Sequence, residues 1–298
     1  MSRVIKIGTR GSELAIRQAE IVKQKLQEKF LDIEIQIITI KTAGDKILNK
    51  TLDKIGGKGV FVKEIEFALL DKKIDIAVHS MKDMPIEFPE GLMLGAVTER
   101  ENPMDVLISK SGLDFYSLPK GAKIGTGSLR RKVQLLSLRK DIEVVPIRGN
   151  IHTRIEKMEK ELDGVVLAAA GLKRCGLEDK ISYHFNFNEM IPAACQGILA
   201  LEIREDDKEI LHLVQAIHHK KTEVCQKAER AFLKEIGADC HAPVGAFATI
   251  NSNNELEMTV FFYSKQLIRI YEKAKISEAQ KLGSKLAKQI LKKMREGE

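Results

Sequence analysis

The chain has 298 residues, 44% of them hydrophobic and 31% charged, with a formal net charge of +7. That length exceeds one typical domain of roughly 100–200 residues, and no stretch approaches the ~18 consecutive apolar residues of a membrane span, so two or three compact soluble units sharing a cleft are expected. With no Trp and only 5% aromatic residues, a single-strand nucleic-acid reader, which interleaves cations with stacking rings, is disfavoured against a small anionic ligand.

Val4–Gly8 reads as a strand entered at once, without the apolar segment and cleavage site of a secretory signal, so a cytoplasmic protein is expected. The turn Thr9-Arg10-Gly11-Ser12 follows, and Ser12 is placed to cap a helix whose Leu14, Ala15, Ala19, Val22 and Leu26 share one face. Ile33–Ile40 alternates as a strand, the Gly/Lys stretch around Gly56–Gly59 precedes a helix from about Val60 to Asp71, and Ile74–Val78 is a short buried strand running into His79–Pro85. Strand candidates at Leu92–Val97 and Val106–Ser109 come next. The opening pattern then returns: Ile124-Gly125-Thr126 with Ser128 and a helix echoes Ile7-Gly8-Thr9 with Ser12 and a helix, as if two related lobes lie in tandem. The strand Ile142–Pro146 leads into Arg148-Gly149-Asn150 and a helix carrying Arg154, and the strand Asp163–Ala168 into Ala169–Cys175 with Arg174. Strands alternating with helices imply a largely parallel, doubly wound sheet in each lobe. From about Lys220 the character changes to a helix ending at Ile236, three strands (Val244–Ile250, Leu256–Phe262, Leu267–Tyr271) joined by short turns, and a Lys-rich helix, which predicts a small domain with an antiparallel sheet.

The cations divide into 35 Lys and 14 Arg. Lys is the default surface charge here, whereas Arg presents a planar fork that grips carboxylates bidentately. Six Arg (Arg10, Arg130, Arg131, Arg148, Arg154, Arg174) fall in Gly/Thr/Ser loops or the helices those loops open, outside the carboxyl ends of strands, where ligands of α/β sheets bind. Helix N-termini at Ser12 and Ser128 add amide donors, and each Arg–carboxylate pair at ~4 Å gains roughly 4 kcal/mol before desolvation at an effective dielectric near 20. The pattern predicts a substrate with several carboxylates; taken alone, Arg130-Arg131 also reads as a solvated helix face.

Asp83 follows a buried strand beside Lys82, where a carboxylate can accept a hydrogen bond from an N–H and steady a developing cation; its place before Met-Pro also suits a simple turn former. His79 reads as a packed strand-end residue. The cysteines Cys175, Cys195, Cys225 and Cys240 show no Cys-x-x-Cys spacing, so neither a disulfide framework nor a metal site is expected. Cys175 and Cys225 read as buried small hydrophobes, whereas Cys240, in the loop Gly237–Gly245 beside His241, is placed to be a reactive thiol.

Together, Ile7–Ser12, Gly56–Glu64, Asp75–Pro85, Ile124–Arg131, Arg148–Asn150, Ala170–Arg174, Gln196-Gly197 and Cys240–Gly245, in that order over nearly the whole chain, resemble the hydroxymethylbilane synthase (porphobilinogen deaminase) family. The resemblance implies an α/β fold of two periplasmic-binding-protein-like doubly wound lobes, residues 1–98 with 198–218 and residues 102–193, plus a small α+β C-terminal domain with a three-stranded antiparallel sheet, residues 220–298. It implies a transferase that polymerises porphobilinogen units through an electrophilic methylene-pyrrolenine and hydrolytically releases a linear tetrapyrrole. A dipyrromethane cofactor on Cys240 through a thioether, Asp83 as the catalytic carboxylate, and a cytoplasmic monomer acting on a small molecule without nucleic acid or membrane also follow from the resemblance. By the same resemblance Ser80, Lys82, Asp83, Thr126, Ser128, Arg130 and Arg131 match cofactor contacts, and Arg10, Ser12, Arg148, Arg154, Arg174, Phe61 and Lys58 match substrate or growing-chain contacts. Cys195 departs from the family, which often has Gly before Gln-Gly. A polycarboxylate-binding protein without catalysis is the alternative that the same lobes would serve.

Overall fold

The computed structural model describes residues 4–42, 62–237 and 242–296. In chain order, β1 (Ile5–Arg10), α1 (Glu13–Lys29), β2 (Ile35–Ile40), α2 (Lys63–Leu70), β3 (Ile76–Ser80) and β4 (Leu92–Val97) are followed by β5 (Asp105–Ser109), β6 (Lys123–Gly125), α3 (Leu129–Leu138), β7 (Glu143–Val145), α4 (Ile151–Glu161), β8 (Gly164–Ala168), α5 (Ala169–Arg174) and β9 (Tyr183–His184). Then come β10 (Leu199–Arg204), α6 (Lys208–Gln215), α7 (Lys220–Ile236), the hairpins of β11 (Val244–Ile250), β12 (Glu255–Tyr263) and β13 (Leu267–Lys275), and α8 (Ala279–Glu296). The chain divides into two compact units, Met1–Arg100 with Ile198–Thr222 and Glu101–Gly197 with Glu223–Glu298.

The first unit holds a sheet in the order β2-β1-β3-β10-β4. β1 is parallel to β2 and β3, and β10 is antiparallel to β3 and β4. Its apolar residues face both ways. Ile5, Ile7, Ile76, Val78, Leu201 and Ile203 pack with α1 and α6 on one side, and Ala77 and Leu92 pack with Ile65 and Leu69 of α2 on the other. The predicted stripe of α1 holds at Ala15, Ala19, Val22 and Leu26, but Leu14 is only half-buried and Gln18 takes an inward place. Burying Val22 and Leu26 contributes roughly 1.5–3 kcal/mol each, enough to dock a helix that a 17-residue segment would scarcely form alone.

The second unit repeats the plan as β7-β6-β8-β5-β9, where β6 is parallel to β7 and β8 while β5 runs antiparallel to β8 and β9. The Ile-Gly-Thr echo therefore marks equivalent strands, β1 and β6, in two sheets of matching order. The mixed α/β class expected from the alternation holds, with one reversed strand in each sheet. Residue spacing missed β9, which is only two residues long, and β10, because Leu199–Arg204 is buried at every position and shows no alternation. The same unit carries the predicted antiparallel sheet β11-β12-β13. Val244, Ala246, Ala248, Met258 and Val260 on one of its faces form a core with Ala228 and Phe232 of α7 and with Leu282, Leu286 and Ile290 of α8. No described helix is long and apolar enough to cross a membrane.

Candidate functional site

In the first unit the site residues gather where β1 and β3, paired directly in parallel, end side by side. Arg10 closes β1, half-buried, and Ser12 caps α1 as predicted, its hydroxyl accepting the Ala15 N–H at 3.4 Å. Thr9, fully buried, donates to the Ala15 carbonyl at 3.0 Å, and Gln18 of α1 donates to Ser80 Oγ at 2.8 Å, which explains why that glutamine turns inward. A 3-10 turn, Met81–Asp83, leaves β3, tethered by the Met81 N–H on the Ile198 carbonyl at 3.0 Å. Met81 is buried beneath it, Lys82 is half-buried and Asp83 is exposed. His79 fits the packed strand-end reading: its Nε2 lies 3.0 Å from Glu202 Oε2, and both side chains are buried. Burial, followed by the charge of Glu202, raises the pKa of nearby Glu66 above the ordinary carboxylate value, with His79 and Lys63 pulling the other way.

In the second unit Ser128 caps α3, accepting the Arg131 N–H, and Thr126 is buried with its hydroxyl accepting the Ser128 N–H at 3.2 Å. The cap points the first turn of α3 inward, and Arg130 and Arg131 are only 4% and 5% exposed, which rules out the solvated-face reading. Both guanidiniums converge on Asp105 at the start of β5, itself 0% exposed: Arg130 Nη1 at 2.7 Å from Oδ2, and Arg131 Nη2 and Nε at 2.7 and 3.1 Å from Oδ1. Gln196 Nε2 donates to the same carboxylate at 2.9 Å and to the Pro103 carbonyl at 2.7 Å. Arg130 also donates to the Ile191 carbonyl and Arg131 to that of Val166. Burial alone would raise the Asp105 pKa, but the two guanidiniums outweigh it and hold that carboxyl well below the usual range. Burial in turn lowers Arg130 against the pull of Asp105.

The other arginines expected at the site in this unit form two further groups. Arg148 is half-buried in the loop after β7, where Asn150 caps α4 and Arg154 Nε donates to the Gly149 carbonyl at 2.8 Å. Arg174, at the end of α5, donates to the Gly197 carbonyl at 2.7 Å, and burial pulls its pKa down to about 10 despite the nearby Glu101. The dipeptide Gln196-Gly197 thus touches both the Asp105 cluster and Arg174. Lys58, Phe61 and Cys240 lie outside the described residues.

Residue reasoning missed Asp105, Gln134 and Glu229, all 0% exposed. Asp105 had one legible signal, a carboxylate opening a strand whose next three residues, Val106, Leu107 and Ile108, are apolar. Of the other cysteines, Cys225 is buried as expected and Cys175 is only half-buried. Cys195 is 2% exposed with φ +62, a left-handed conformation suited to glycine. Chemically, two cations around one carboxylate leave a buried cluster with an excess positive charge in the second unit; in the first unit taken by itself, Asp83 is an exposed carboxylate next to Lys82.

Comparison with known proteins accords with this arrangement. The family model "Porphobilinogen deaminase, dipyromethane cofactor binding domain" matches residues 5–212, and "Porphobilinogen deaminase, C-terminal domain" matches residues 223–292. A porphobilinogen deaminase of Alkaliphilus metalliredigens is 51% identical over 98% of this chain and 93% of its own length, and that of Desulforamulus reducens is 44% identical over the full length of both. Among solved structures, the methionine-binding protein MetQ is similar at 15% identity and a TM-score of 0.47, over 74% of this chain and 92% of that one. Matches that span nearly the whole chain, over the loops that carry the arginines and Asp83, establish that this chain belongs to the porphobilinogen deaminase family.

Proposed function

We propose that this chain is the transferase that joins four porphobilinogen units head to tail, with loss of ammonia, and releases linear hydroxymethylbilane by hydrolysis. The observation that carries the reading is the charge imbalance at Asp105, where two buried guanidiniums share one buried carboxylate. A buried cation in excess is costly unless an anion joins it. Porphobilinogen supplies such anions, an acetate and a propionate on each ring.

The same imbalance fits a carboxylated dipyrromethane, since Nε and Nη2 of Arg130 carry no hydrogen bond among the described residues. Thr126, Ser128, Arg130 and Arg131, with Ser80, Lys82 and Asp83 of the first unit, would hold it, and Cys240 would carry it as a thioether. Bound there, the dipyrromethane supplies a nucleophilic pyrrole carbon as primer. Arg10, Ser12, Arg148, Arg154 and Arg174, with Lys58 and Phe61, grip the substrate and the growing chain, guanidinium forks suiting carboxylates better than the point charge of lysine. Asp83 accepts pyrrole N–H hydrogen bonds, holds a proton at its carboxylate and steadies positive charge on the reacting ring. In this reading residues 1–98 with 198–218 and residues 102–193 handle the substrate, and residues 220–298 bear the cofactor. Family matches that end at residue 212 and resume at 223 support the boundary near 220, and the description of the first, a cofactor binding domain, supports cofactor contacts from the lobes. The protein works as a cytoplasmic monomer, with neither nucleic acid nor membrane as partner.

Intact mass of the purified protein tests the reading. An excess equal to two linked pyrroles, lost in Cys240→Ser, is expected, and an unmodified chain that is fully active overturns the cofactor assignment. Asp83→Asn is expected to lower kcat by about 10²–10⁴-fold with the fold intact; a near-normal rate removes Asp83 from the chemistry.

A further inference from the structure

The irregular segment from Asn188 to Gln196 has no strand or helix to satisfy its backbone, so its polar groups must find partners elsewhere in the unit. Gln134 takes the Ile191 N–H at 2.8 Å, the Ile191 carbonyl accepts Arg130, and the Pro192 carbonyl accepts the Ala246 N–H of β11 at 3.1 Å. The approach to β11 is close enough that a Cβ on Gly245 would lie 2.8 Å from the Pro192 oxygen and 3.0 Å from that of Ile191. Two residues before Gly197 the chain turns left-handed at Cys195, a conformation that costs a non-glycine residue roughly 1–2 kcal/mol. Something must hold it there. The Cys195 N–H donates to Glu229 Oε2 at 2.5 Å, and the other oxygen of that carboxylate, Oε1, accepts the Ala248 N–H of β11 at 2.7 Å.

Glu229 lies on α7, is 0% exposed, and faces an apolar core in which a hydrophobic side chain would pack at lower desolvation cost. Its two oxygens instead accept backbone N–H groups, one of the irregular segment and one of β11. The residue after Cys195 is Gln196, whose amide reaches the Asp105 carboxylate that aligns Arg130 and Arg131. We propose that Glu229 is a positioning residue: by fixing the backbone at Cys195 it sets Gln196 on Asp105, and so the orientation of the two guanidiniums. This rests on the reading of Arg130 and Arg131 as carboxylate-gripping groups.

A double-mutant cycle on the holoenzyme tests it. Glu229→Gln and Gln196→Ala are each expected to lower kcat/KM for porphobilinogen about tenfold, and the double variant to lose little more than either, because both act along one path. Phe232→Leu, in the apolar core that the same α7 helps to form, supplies a control for loss of stability alone and is expected to keep kcat/KM within about twofold. Effects of Glu229 and Gln196 that multiply, or an equal kinetic loss in Phe232→Leu, overturn the proposal. If Glu229→Gln gives no folded protein, the cycle is run with Glu229→Asp, which keeps the charge and shortens the reach, and the same two outcomes decide. Arg131→Lys separates the parent reading: unchanged KM and dipyrromethane content there refute the arginine assignment itself, whereas impaired values with multiplying effects at Glu229 and Gln196 refute only the positioning role.

Discussion

Replacing Asp105 by Asn keeps the shape of the side chain and removes its charge, which isolates the electrostatic part of the cluster. Asp105 is fully buried and takes one nitrogen of Arg130, two of Arg131 and the amide of Gln196. Asn leaves two buried guanidiniums without a carboxylate and turns an N–H₂ group toward donors. Removing one member of a buried ion pair costs about 3–5 kcal/mol, and each kcal/mol moves the midpoint of a unit of this size by roughly 2–4 °C, so the transition that unfolds the second unit should fall by about 6–20 °C. The dependence on pH has a definite sign. A carboxyl held below its unfolded pKa stabilises the fold at every pH above that unfolded value, and the contribution fades as pH drops toward the folded value. The gap between wild type and Asp105→Asn is therefore constant from neutrality to about pH 4 and narrows below it. Calorimetry from pH 3 to 8 measures it. A variant within about 2 °C of wild type at pH 7, or a gap that widens on acidification, refutes the ion-pair reasoning.

Two further substitutions probe other parts of the fold. At Cys195 the left-handed backbone predicts that Cys195→Gly changes stability by no more than about 1 kcal/mol in urea denaturation, whereas Cys195→Val, β-branched at φ +62, costs about 2 kcal/mol or more. Equal stability of the two would mean that the backbone at 195 is not held left-handed. Glu66 has its pKa raised, chiefly by burial and then by Glu202, so its neutral form favours the fold and that contribution is lost as pH rises through the folded value. Glu66→Gln is then expected to match wild type in acid and to exceed it in stability at neutral and alkaline pH; a Gln variant less stable at pH 8 counts against the assignment.

Much of the site was legible from spacing because the features concerned are local. Ser12 and Ser128 cap their helices through N–H groups three residues on, within the reach that a sequence window covers. The Ile-Gly-Thr echo marked equivalent strands because the same short contacts build β1 and β6. Arg130-Arg131 shows where that logic stops: adjacent arginines at a helix start look like a solvated face, and only a carboxylate 25 and 26 residues away made them buried.

The order and type of most elements, the tandem lobes with an antiparallel C-terminal sheet, the enrichment of arginine in loops, and the family are all readable from the amino-acid order, since they are written in short periods, caps and contiguous motifs. It took the folded chain to show that β10 runs antiparallel through the first sheet, that Asp105 gathers Arg130, Arg131 and Gln196, and that Glu229 accepts the backbone N–H of Cys195. Those pairings join residues far apart in the chain, 91 positions between Gln196 and Asp105 and still more between β10 and β3. Their partners are chosen by the need to neutralise buried charge and satisfy buried N–H groups, a requirement that exists only once the chain has closed around them.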